Sequence, residues 1–228
     1  MEASFKKQVS QHLEIEAAFG ITHLVSPAGS LTARPILESR EQKTKSLDAL
    51  REEYKNCQMC PLSRGRTHVV FGSGNPEAEL MFVGEAPGYD EDLQALPFVG
   101  KAGQLLTKII EAMKLKREDV YIANCLKCRP PQNRNPLPSE IVICSPILEK
   151  QIEIIQPKVI CALGKFAAQT LLKTDEPIGR LRGRFFDWHR GIKLMPTFHP
   201  VYLLRNPGDK KIVWEDVQKI MKELEVSI

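Results

Sequence analysis

Six cysteines punctuate this chain of 228 residues, and four of them are spaced for chemistry. Cys57 and Cys60 form a tight C-x2-C pair in NCQMCP, while Cys128 and Cys144 stand singly in KCRPP and IVIC. The opening residues, MEASFKKQVSQHLEIE, lack the apolar stretch of an export signal and the acid-poor character of a transit peptide. A cytoplasmic location and reduced thiols are therefore expected, and reduced cysteines with one tight pair read as a metal or iron–sulfur site rather than disulfides. Four-cysteine zinc sites usually carry a second tight pair. Here the third and fourth candidate ligands stand apart and Pro61 follows Cys60, which favours a [4Fe–4S] cluster. On spacing alone a zinc knuckle and unligated core thiols both stay open. Cys125 and Cys161 differ: each lies in an apolar run (VYIANC, KVICAL) and is expected in the core as a small hydrophobe.

Other reactive side chains cluster in three segments. In GEAPGYDED, Glu85 follows an apolar run and precedes a Gly- and Pro-bearing turn, with Asp90, Glu91 and Asp92 close behind. The turn suits close approach of backbone to a ligand, but no G-K-[ST] follows, so it is not a Walker loop. In HPVYLLRNP, His199 ends an apolar run, where an imidazole can act as an acid or hydrogen-bond donor. Leu203, Leu204 and Arg205 then read either as an apolar wedge beside a phosphate clamp or as ordinary core leucines opening a helix. In LPFVGKAGQLL, Phe98 precedes a helix start, where a ring can stack on a base or simply fill core. Arg and Lys recur beside these segments, in PLSRGRTH, LKCRPPQNRN, GRLRGRFFDWHRGIK and YLLRNPGDKK. Basic loops around one site suggest a phosphate-rich partner, although the net charge of +4 is mild.

The elements that must position these residues follow from periodicity. Four short apolar runs (79–84, 119–125, 157–163, 192–198) alternate with helical stripes over 103–113, 139–155 and 164–172. That alternation predicts an α/β fold with a parallel sheet covered on both faces, and ligands at the carboxyl ends of its strands. A further helix over 47–56 delivers the first cysteine pair. Residues 4–19 carry Phe5, Val9, Leu13 and Ala17 at helical spacing, and VSPAGSLTARP follows as a linker. The expected organisation is an arm over 1–46, open to reading as a flexible tail or as a segment that binds a partner, and a body over 47–228. Hydrophobic residues at 43% allow one substantial core, and no stretch is long enough to span a bilayer.

GEAPGYDED, PFVGKAGQLL, NCLKCRPPQNRNP, the late cysteine of IVIC and HPVYLLRNP together resemble the ordered motifs of the iron–sulfur uracil-DNA glycosylases called family 4. The resemblance runs from about Cys57 to the C-terminus and leaves the first fifty or so residues uncovered. It implies a three-layer α/β sandwich around a four-stranded parallel sheet. It also implies a monomer that removes uracil from single- or double-stranded DNA by hydrolysing the N-glycosidic bond.

Carried over residue by residue, the resemblance implies that Cys57, Cys60, Cys128 and Cys144 hold a structural [4Fe–4S] cluster. Phe98 would stack on the extruded uracil, Asn124 would read its edge, and the backbone from Gly84 through Glu85 to Ala86 would approach O2. His199 would donate to O2 as the bond breaks, and Leu203, Leu204 and Arg205 would contact DNA. Better-known uracil glycosylases carry an Asp one residue after the position of Glu85, where this chain has Ala86. Glu85 is therefore assigned the attacking water, with Asp90, Glu91 and Asp92 as alternatives. Two other branches fit less well. A relative that cross-links itself to DNA has a histidine in the loop occupied here by RPPQNRNP, and a branch tolerant of other bases lacks the first-motif Glu.

Overall fold

The computed structural model describes residues 39–226. The expected arm helix over 4–19 and its linker lie outside them. The helix expected over 47–56 begins earlier, as α1 (Arg40–Tyr54), because the Ser39 side chain accepts from the Gln42 amide and caps it. Buried Lys43 fastens α1 to the body by donating to the carbonyl of Ile155 at 2.7 Å.

Every apolar run becomes a strand: β2 (Leu80–Gly84), β3 (Tyr121–Asn124), β4 (Val159–Leu163) and β6 (Lys193–Thr197). They form the parallel centre of a sheet in the order β1-β3-β2-β4-β6-β5. The edges are antiparallel two-residue strands, β1 (Ser73–Gly74) and β5 (Phe186–Asp187). A two-residue strand carries no period, so nothing in the sequence marks them. The expected four-stranded parallel sheet is thus the core of a six-stranded mixed one.

Strand side chains alternate between two apolar layers. Met81, Val83, Tyr121 and Ala123 face α1 and α4 (Pro138–Ile155), through Leu50, Leu148 and Ile152 among others. Leu80, Phe82, Ile122 and Cys161 face α3 (Lys101–Ala112) and α8 (Lys210–Glu223), through Leu106, Ile110, Val217 and Ile220. Burial on both faces explains why these strands read as unbroken apolar runs rather than alternating ones. Shorter helices complete the fold: α2 (Tyr89–Gln94) before α3, then α5 (Lys165–Leu172) and α6 (Ile178–Leu181) between β4 and β5, and α7 (Pro200–Arg205) after β6. Helix α8 escaped the sequence reading, although Val213, Val217, Ile220 and Leu224 recur at helical spacing. Cys125 and Cys161 are buried in the two layers as expected, and desolvation pushes the Cys125 thiol up to about 12.

The chain passes from β2 outward to β3, then back over the sheet to β4 on the other side of β2. This reversal opens a crevice at the carboxyl ends of the central strands. A buried polar junction braces the last of them. Fully buried Asp216 of α8 forms an ion pair with Arg182, and its Oδ2 accepts from Thr197 Oγ1 at 2.7 Å, at the end of β6. Asp216→Ala should lower folding stability by roughly 3–5 kcal/mol, because it strands a partly buried guanidinium. A urea denaturation midpoint equal to that of the parent protein would contradict this.

Candidate active site and four-cysteine pocket

The carboxyl ends of the strands converge on one cavity of about 400 Å³, lined among others by Glu85, Ala86, Phe98, Asn124, His199 and Arg205. Register does much of the assembly. Gly84 and Asn124 lie opposite each other as the last pair of β2 and β3, and the pairing runs on past them through Cys125 N–H to the Gly84 carbonyl at 3.0 Å. Any side chain on Gly84 would collide with the site, since a Cβ there would lie 2.4 Å from Asn124 Oδ1 and 2.5 Å from the Phe98 ring. On the far side, Gly164 adopts φ +88 and comes so close to His199 that a Cβ would sit 2.9 Å from its Cβ.

Phe98 is 6% exposed and holds a left-handed backbone, φ +52, in the loop before α3. A non-glycine residue in that region stores strain of about 1–2 kcal/mol. The surroundings hold it there: Arg117 donates to the carbonyl of Pro97, and Gly103 packs against the Phe98 carbonyl where a Cβ would not fit. The ring meets His199 at a centroid distance of 5.7 Å, tilted by 34°.

Two of the acidic residues after Glu85 serve the scaffold. Glu91 accepts from the Val99 and Gly100 amides, each at 2.9 Å, and from Gly88 at 3.1 Å, binding the turn to the Phe98 loop. Asp92, 2% exposed, accepts from the Thr67 and His68 amides. Asp90 is exposed. Glu85 lines the cavity, and burial lifts its carboxyl from the usual range to about 7. Burial acts on His199 in the opposite sense, lowering it to about 4 despite the nearby charge of Glu91. Both shifts disfavour the ionised form. The neutral imidazole has a defined tautomer: Nδ1 accepts from the Val201 amide at 3.1 Å, so the proton resides on Nε2. Asn124 is 2% exposed, and its Oδ1 is buried without a hydrogen-bond partner. A buried acceptor left unpaired is costly, and this one lies in the cavity wall.

Pro130, Asn133, Arg134 and Asn135, from the basic motif after Cys128, complete the cavity wall. Arg134 clamps Glu140 with two bonds, one of 2.9 Å and one of 2.6 Å, while Glu140 also accepts from the Leu137 amide. Arg129 lies over the ring of exposed Tyr89 at 4.9 Å. The DNA-contact candidates divide. Leu203 is 1% exposed and belongs to the apolar layer against α8, the core role left open for it. Leu204 is 44% exposed, and Arg205 lines the cavity.

Cys57, Cys60, Cys128 and Cys144 line a second, small pocket with Arg66 and Lys127. Cys57 and Cys60 follow α1, Cys128 follows β3 and Cys144 lies in α4. Two of the sulfurs receive hydrogen bonds of 3.3 Å: Arg66 Nη1 donates to Cys128 and the Lys127 amide to Cys144. Burial raises both thiols, Cys128 to about 11, and repulsion from the neighbouring cysteines adds to it. Among the described residues, no three His, Cys, Asp or Glu side chains stand close enough together to ligate one metal ion.

The model of the uracil DNA glycosylase superfamily matches residues 71–218. The chain belongs to that superfamily. It is 46% identical over 187 residues to the type-4 uracil-DNA glycosylase of Saccharolobus solfataricus, covering 78% of this chain and 87% of that protein. It is 47% identical over 176 residues to the type-4 uracil-DNA glycosylase of Thermotoga maritima, covering 76% and 92%. A third type-4 enzyme, from Archaeoglobus fulgidus, is 43% identical over 183 residues, covering 77% of this chain and 92% of that protein. These matches place the chain in the type-4 family, as the ordered motifs implied. The three-layer α/β fold is the one expected for this family.

The contact made by Gly84 yields a test within this family. Gly84→Ala should leave the fold intact but force Asn124 and Phe98 apart. Binding of free uracil should weaken by at least tenfold, with an unchanged circular dichroism spectrum; unaltered binding would contradict the geometry.

Proposed function

We propose that this protein excises uracil from DNA, starting base-excision repair, and that the cavity at the strand ends is where it does so. The observation that carries this reading is the buried, unpartnered Oδ1 of Asn124 beside the Phe98 ring. A uracil stacked on Phe98 offers N3–H to that oxygen and O4 to the amide Nδ2. Cytosine presents the opposite pattern at both atoms and would leave buried groups unpaired, which a polar site rejects strongly. The type-4 relatives are named for uracil in DNA, which agrees.

Bond cleavage leaves negative charge on the departing uracil. The Nε2–H of neutral His199 donates to O2 as that charge grows, and a neutral donor spares the site a buried imidazolium. Glu85, ionised, orients the water and offsets positive charge on the sugar. Glu91 and Asp92 are less suited to this task, because each already accepts from backbone amides. Leu204 fills the gap left by the flipped base, and Arg205 holds a neighbouring phosphate.

The four-cysteine pocket suits a [4Fe–4S] cluster. Its donors are all thiols, two already receive N–H bonds, and a cluster takes one thiolate on each of four irons rather than gathering four on one ion. When bound, it would supply a covalent clamp that holds the loops after α1 and β3 to α4. A visible absorption band near the usual iron–sulfur charge-transfer region, with iron bound in proportion to protein, would support this.

The direct test is release of uracil from single- and double-stranded oligonucleotides, followed by alkaline cleavage of the abasic product. His199→Ala should slow single-turnover excision by about 100- to 1,000-fold, the usual effect of losing one such donor. Parent protein that leaves every uracil in place would refute the proposal. The pH profile tests the carboxylate separately. Because Glu85 acts as its base form and sits near 7, excision should level off above about pH 7 and fall about tenfold per unit below it. Glu85→Gln should be slow at every pH and lack this limb; near-parental rates in Glu85→Gln would shift the role elsewhere.

A further inference from the structure

Lys127 stands next to Cys128 in a basic segment and reads from the sequence as a phosphate-gripping residue. The structure withdraws it from solvent: it is 1% exposed. Its ammonium donates to the main-chain carbonyl of Asn124 at 2.8 Å and to Gln151 Oε1 at 2.6 Å. Its own amide donates to Cys144 Sγ at 3.3 Å. Gln151, fully buried in α4, is anchored in turn by Nε2 donating to the Phe71 carbonyl at 2.9 Å. Among the described residues, no carboxylate pairs with Lys127. A buried ammonium without a carboxylate partner is a burden on stability, so its presence calls for another account.

Strand geometry supplies one. The Cys125 amide bonds to Gly84 on the β2 side, so the carbonyl of the preceding residue, Asn124, faces the β1 side. There β1 reaches only as far as Ile122. The Asn124 carbonyl is left beyond the end of its neighbour strand, and the Lys127 ammonium occupies the place of the missing amide. Asn124 is thereby gripped on both sides, through Cys125 by Gly84 and through its own carbonyl by Lys127.

We propose that Lys127 is a positioning residue for uracil recognition, fixing the main chain of Asn124 and joining it through Cys144 to the four-cysteine pocket. The inference rests on Asn124 reading the uracil edge. It assigns Lys127 no contact with substrate.

Lys127→Met removes the donor at similar length. Four quantities separate positioning from general damage: iron bound per chain, affinity for abasic-site DNA, affinity for free uracil by calorimetry, and single-turnover excision. Iron and abasic-DNA affinity should hold, while uracil binding and the excision rate fall by roughly 10- to 100-fold, the effect of displacing a reading group by an ångström or so. Parental uracil affinity in Lys127→Met would overturn the proposal. Should that variant lose iron, Gln151→Leu loosens the ammonium without touching the cysteine loops. It should weaken uracil binding several-fold with iron retained, and parental affinity there would overturn the proposal equally. Parent protein that neither binds nor excises uracil would overturn the functional reading and this inference together, a result recognisable because no variant enters into it.

Discussion

The pairing of Gly84 with Asn124 at the carboxyl ends of adjacent parallel strands is the constraint on which the site depends. In a sheet the side-chain period is two, so a slip of one residue would turn Asn124 out of the cavity and bring Ala123 or Cys125 into it. The Cys125 and Leu126 amides carry the pairing past the last residues by donating to the Gly84 and Glu85 carbonyls. The absence of a Cβ at Gly84 then lets an amide and an aromatic ring meet over the same backbone. The meeting of Asn124 with the Phe98 ring above Gly84 follows from this one register.

Burial sets the protonation states around that register. The same desolvation raises Glu85 and lowers His199, because in each case it is the charge that is expelled from a low-dielectric site. The outcome suits bond cleavage with a departing anion: a neutral donor of fixed tautomer shares the cavity with a carboxyl balanced near neutrality. Hydrogen bonds do the rest of the sorting. Carboxylates that resemble Glu85 in the sequence, Glu91 and Asp92, accept six hydrogen bonds from five backbone amides between them, and so brace the loops.

The basic residues divide in the same way. Arg134, Arg182 and Lys193 are each paired with a carboxylate, Arg66 points at a cysteine sulfur and Lys127 is buried. Part of the charge clustered in the sequence is therefore structural charge, and the surface left for phosphates is narrower than the number of arginines suggests. Arg205, on the helix that His199 opens, remains in the cavity wall, and Leu204 is exposed on the same helix.

Local pattern was enough to reveal the four central strands, the three helices between them, the core roles of Cys125 and Cys161, and the motifs that resemble a uracil-DNA glycosylase. These depend on runs of apolar side chains and on residue types at short spacing, which a linear chain displays directly. Tertiary structure alone decided the rest. Two-residue edge strands have no period to display. The burial of Leu203 beside the exposure of Leu204 depends on which face of α7 meets α8, and the engagement of Glu91, Asp92 and Lys127 depends on backbone groups brought near by folding. A side chain's role is settled by the partners that reach it, and those partners come from residues far away along the chain.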